Sequence, residues 1–155
     1  MADTNQNEFL FTLSKLTTEQ FAVFEENYSM GMELEMNIQC KFGADPSKKM
    51  LGIFFQFNLR SAETQKEVLI IESGTHFQVE LNSWNNFLKE NVLTIPYIYT
   101  SHFAAIAIGN TRGMLHSKTE GTSLNHLFLP LMTTDKIIDE NDLVIEFTQE
   151  LKKET

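Results

Sequence analysis

The sequence holds a single cysteine, Cys40, in 155 residues. One thiol forms no intrachain disulfide, and such scarcity points to a reducing, cytoplasmic setting. Basic charge is scarce as well: 12 Lys and Arg stand against 21 Asp and Glu, a formal net charge of −9. That sign repels a nucleic-acid backbone and an anionic membrane surface, and leaves basic or unfolded polypeptides open as partners. No apolar run approaches the ~20 residues of a membrane span. The opening "MADTNQNEF" lacks a basic region followed by an apolar one, so no secretory signal is expected. No period indicates a repeat array.

Motifs that carry chemistry are missing too. His76, His102, His116 and His126 form no close-spaced pair with a third ligand, so no metal site is expected. There is no G-x-S-x-G elbow, and Ser101 beside His102 does not make a catalytic pair by adjacency. Cys40 falls on the apolar side of an alternating segment, where an inert buried thiol is expected. The stretch Gly109-Asn-Thr-Arg-Gly113 invites a phosphate-loop reading, but such a loop precedes a helix. Here a helical stretch runs into it, so Arg112 and Gly113 read as an ordinary helix C-terminus. No catalytic residue is expected.

What is present is 42% hydrophobic residues, enough for the core of one domain over residues 1–155, with thirteen Phe against one Trp and three Tyr. "FLFTLSKL" (9–16) alternates as a short strand. Thr17 and Gln20 stand at capping-box spacing before a short helix bearing Phe21, Phe24 and Tyr28. "MELEMNIQCKF" alternates cleanly, with Leu34, Met36, Ile38 and Cys40 on one side and Glu33, Glu35 and Lys41 on the wet one. "LGIFFQFNL" and "VLIIESGTHFQVEL" are two more strands, and Gly74 marks a bulge or a close backbone approach. Short polar turns between them favour an antiparallel meander.

After Leu81 the period changes. Ser83 is placed to cap a short helix with Trp84, Phe87 and Leu88, ended at Asn91. Thr94 caps a long helix with Pro96 in its first turn, Ile98, Ala105, Ile106 and Gly109 on its packing face, and its end at Gly113. "DLVIEFTQELKK" is assigned to a last helix. The expected fold class is α+β: an antiparallel four-stranded sheet covered by one long helix after the strands. Phe54 points away from Ile53, Phe55 and Phe57, toward a subunit contact, a binding groove or a covering segment.

The order of these elements resembles the SecB-like chaperones. The resemblance rests on three antiparallel strands after a leading one, Gly74-x-x-Phe77, "IPY" at 95–97 opening the helix, Arg112-Gly113 closing it, and Leu129-Pro130. It covers roughly residues 30–131. The segment Gly113–Pro130 is longer than its counterpart in the family, and the ending "TQELKKET" lacks an acidic tail. The resemblance implies a dimer or tetramer, no cofactor, no catalysis, and binding of unfolded or partly folded polypeptides along hydrophobic grooves, in protein export. It also implies a translocase partner docked on an acidic sheet face, to which Glu33 and Glu35 would contribute. The groove would draw on Phe21, Phe24, Phe54, Trp84, Phe87 and Leu88. The competing readings are a hot-dog-type thioester-processing enzyme, whose long helix usually precedes most strands, and an oligomeric scaffold subunit.

Overall fold

The computed structural model of the chain describes residues 8–148. Four long strands come first: β1 (Phe11–Val23), β2 (Leu34–Asp45), β3 (Met50–Ser61) and β4 (Glu67–Val79). The turns from β2 to β3 and from β3 to β4 are too short for a crossover, so these strands pair antiparallel. The connector 24–33 carries the chain from one edge of the sheet to the other, giving the order β1-β4-β3-β2. There follow α1 (Leu81–Phe87), β5 (Leu88–Lys89), β6 (Val92–Ile95), the long helix α2 (Tyr97–Lys118) and β7 (Leu143–Glu146). β5, β6 and β7 form a second, small antiparallel sheet. The fold class is α+β, a four-stranded antiparallel sheet with a long helix after the strands.

Alternation sets the two faces of the large sheet. Leu51, Ile53, Phe55 and Phe57 of β3 and Leu69, Ile71, Phe77 and Val79 of β4 are buried toward α2, which packs on β3 and β4. Burial of these side chains is the main driving force, at about 25 cal/mol per Å² of apolar surface. Between helix and sheet the Ser73 and Thr111 hydroxyls meet at 2.6 Å, and Thr111 donates to the Ala107 carbonyl at 2.7 Å. A fully buried polar pair is thereby satisfied.

Several expectations are corrected. The helix expected from Thr17 does not form: β1 continues to Val23, and only a 3-10 turn, Glu25–Asn27, follows. The α1 cap is Glu80, whose carboxylate accepts from Ser83 N at 2.9 Å; Ser83 lies inside the first turn. Leu88 belongs to β5, and Asn91 sits in the β5–β6 turn with φ of +64°. Thr94 is in β6, while Pro96 is the residue before α2. The cap that Pro96 lacks comes from Asp142, which accepts from Tyr97 N at 3.2 Å.

α2 itself runs past Arg112 and Gly113 to Lys118. Arg112 instead donates to the carbonyls of Leu129 (3.1 Å) and Pro130 (3.0 Å), tying the returning chain to the helix. The buried face is Thr100, Phe103, Ala104, Ala107, Ile108, Thr111 and Leu115. Ile98, Ala105 and Gly109 face outward, and only Ile106 of the expected set is half-buried. The last helix is also overturned: residues 143–146 form β7 against β6, and residues from 149 on lie outside the described ones.

Candidate functional site

α2 covers β3 and β4 but not the whole of β1. The helix-facing side of β1 therefore emerges beyond the helix as a half-exposed apolar strip. Its residues follow from the register: Phe11, Leu13, Leu16 and Phe21 oppose Val79, Phe77, Thr75 and Ile71 of β4, all on the helix side. Leu13 and Leu16 are three apart yet share a face because Ser14 is an extra residue in the ladder; Glu19 is a second. Leu13 is 54% and Leu16 50% exposed, whereas Phe11 and Phe21 are half-buried.

The helix supplies the other wall. The His102 ring lies 6.0 Å from Phe11, Asn110 donates to Thr75 beside Leu16, and Lys118 Nζ stands 5.5 Å over Phe21. The strip thus has an apolar floor and a polar wall. Its outer margin is the open edge of β1, since no further strand pairs there among the described residues.

The residues predicted from sequence are not brought together. Phe21 lies on the strip, and Phe24 is half-buried just past β1, its N–H donating to Val68 O at 2.9 Å. Phe54 is on the opposite sheet face, edge-on to His76. Trp84 is a core residue, 1% exposed and stacked on Phe147, so as folded it presents no surface to a partner. Phe87 packs with Phe9 and Tyr99 in an aromatic cluster that includes Phe103, and Leu88 pairs with Leu93 in the small sheet. Leu13 and Leu16 were missed, since regular alternation assigns Leu13 and Leu16 to opposite faces.

The other sheet face carries both signs of charge. Glu33 precedes β2, and Glu35 is paired with Arg60 at 2.9 Å, which lowers its pKa from the ordinary carboxylate value. Glu35, Asp45, Glu67 and Glu72 share that face with Lys15, Lys41, Arg60 and His76, and Thr17 holds Glu19 there beside His76. Cys40 is on the helix side of β2, where burial pushes its thiol up to about 11. Such a thiol is protonated at neutral pH and is a poor nucleophile.

No family model matches the sequence, and the comparison with curated proteins finds no match. Among solved structures, the chain is similar to the Mycobacterium tuberculosis Rv1957 SecB-like chaperone in complex with a ChAD peptide from the Rv1956 HigA1 antitoxin. That likeness has a TM-score of 0.49 at 11% identity, over 79% of this chain and 91% of the other. A Streptococcus agalactiae protein of unknown function gives a TM-score of 0.36 at 14% identity, over 81% and 98%.

Proposed function

We propose that this chain is a non-enzymatic, chaperone-like protein that binds non-native polypeptide in extended form. The observation that carries the reading is the half-exposed apolar strip along the edge strand β1, floored by Leu13 and Leu16. An extended segment suits both parts of it: unpaired backbone groups at the edge take main-chain hydrogen bonds, and apolar side chains lie on the leucines. Folded partners seldom present both at once. The polar wall of His102, Asn110 and Lys118 gives the rim that such interfaces carry. The element order that resembles the SecB-like chaperones points the same way.

The test is suppression of aggregation of a chemically unfolded client, without nucleotide, by the wild-type chain and by a Leu13→Gln/Leu16→Gln variant. Wild-type protein is expected to hold the client soluble, and the variant to lose most of that capacity while keeping its own oligomeric state. Equal protection by the variant overturns the assignment. So does a variant that loses a subunit contact, because the strip is then an interface between copies.

A further inference from the structure

On the sheet face away from α2, glycines clear the side chains from the middle of the strands. Gly43 and Gly52 are cross-strand partners, Gly52 also opposes His76, and Phe54 opposes Gly74. A Cβ on Gly52 would stand 3.0 Å from the Phe54 ring and 3.3 Å from His76 Nδ1; one on Gly43 would lie 3.7 Å from the same ring. Phe54 therefore reclines over these glycines instead of standing off the sheet. It meets the His76 ring nearly perpendicularly, with centroids 5.5 Å apart. Ring and backbone line a cleft of about 350 Å³ together with Lys15, Lys48, Asp45 and His76.

Charge in this cleft runs against the sign of the molecule. Asp45 is committed to its own turn: Oδ1 accepts from Ser47 Oγ (2.6 Å), Ser47 N (3.0 Å) and Lys48 N (3.2 Å). Neither Lys15 nor Lys48 forms an ion pair among the described residues. The imidazole is held in one tautomer. Thr17 Oγ1 donates to Glu19 Oε1 at 2.5 Å, so it accepts from His76 Nε2 at 3.2 Å. His76 Nδ1 is left over Gly52 without a hydrogen-bond partner among the described residues.

We propose that this cleft binds a flat apolar group bearing an oxyanion, a carboxylate or a phosphate. Lys15, Lys48 and His76 hold the anion, and the half-buried ring of Phe54 takes the flat body on its open side. In the free protein, burial first and then the Lys15 charge hold the His76 pKa below its usual value, against Glu19, so the ring is neutral. The β3 groups facing it, Gly52 and Phe54, carry no charge. An oxyanion opposite Nδ1 favours the doubly protonated ring, so binding takes a proton from solvent and tightens as pH falls.

The cleft is on the sheet face opposite the β1 strip, so the two sites are tested apart. Phenyl phosphate, benzoate, inorganic phosphate and benzamide are titrated separately into the 15N-labelled chain, reading the Gly43 and Gly52 amides and the His76 ring nitrogens. Saturable shifts are expected with phenyl phosphate or benzoate at about millimolar concentration, the stronger of the two telling which oxyanion is preferred. Inorganic phosphate is expected to bind about tenfold more weakly, for want of a ring, and benzamide to leave the three reporters unmoved. Lys15→Gln/Lys48→Gln should weaken the aryl oxyanion at least about tenfold with an unchanged melting temperature and unchanged client protection. Absence of saturable shifts with both aryl oxyanions overturns the proposal. So does benzamide binding as tightly as benzoate, inorganic phosphate as tightly as phenyl phosphate, or a lysine variant of undiminished affinity.

Discussion

Thr111 and Ser73 show how much a single hydroxyl does where helix meets sheet. Thr111 gives its proton to Ala107, so Ser73 must be the donor between the two. Thr111→Val therefore leaves a buried donor on Ser73 without an acceptor, whereas Ser73→Ala leaves the Thr111 proton where it was. The expected order in urea unfolding is a larger loss for Thr111→Val, about 1–3 kcal/mol, than for Ser73→Ala. The reverse order would mean that the donor is assigned wrongly. Cys40 makes a second prediction at this scale. A thiol raised to about 11 should react with a soluble disulfide reagent at neutral pH roughly 100-fold more slowly than a free cysteine, and the rate should climb through alkaline pH. A rate near that of free cysteine would show that the half-buried sulfur opens readily to solvent.

Among the elements, β2, β3 and β4 were legible because their alternation is uninterrupted and their turns are short and polar. β1 was legible only to Leu16. Its extra residues at Ser14 and Glu19 each reverse the phase, so Thr17 to Tyr28 reads as the start of a helix instead of the rest of a strand. α2 was found, but its face and end were not. Small residues lie on both sides of it, Ala104 and Ala107 inward and Ala105 and Gly109 outward, and periodicity does not choose between them. Gly113 passes for a stop signal, yet stays helical because the Arg112 contacts to Leu129 and Pro130 hold this turn in place. Arg112→Ala should cost about 1–3 kcal/mol and speed amide exchange over 127–132; unchanged exchange there would remove the tie from the account. β7 depends on β6, some fifty residues earlier, and no local pattern announces such a partner. In the β5–β6 turn, Glu90 and Asn91 have φ of +52° and +64°, a pair that suits Asn-Gly. Asn91→Gly should raise stability by about 0.5–1 kcal/mol, a gain of a few degrees in melting temperature.

For the molecule as a whole, the resolved carboxylate shifts point one way. Arg60 lowers the Glu35 pKa, the Ser47 hydroxyl that of Asp45, and the Ser83 N–H that of Glu80. His76, chiefly through burial, is also lowered. A lowered carboxylate stabilises the fold above its unfolded value and loses that contribution as pH falls through the folded one. A lowered histidine binds fewer protons folded than unfolded, so its contribution also weakens on acidification. Melting temperature is therefore expected to fall gently below about pH 7 through His76, and more steeply below about pH 5 as the three carboxylates protonate. A maximum on the acid side would mean that repulsion among the excess carboxylates outweighs these four groups.

The paired irregularities of β1 bear on the hazard of displaying a sticky edge at all. A long, flat strand with leucines on one side templates its own copies into cross-β fibrils. Ser14 and Glu19 bend the strand and throw its outer backbone out of step, so a second β1 does not stack on it in register. Both residues lie outside the paired ladder, and deleting them leaves every partner of β1 on β4 unchanged. The shortened chain should then fold but seed fibrils that bind thioflavin T, while the parent stays dispersed. On this reading, two surplus residues separate a surface that holds other chains from one that polymerises its own.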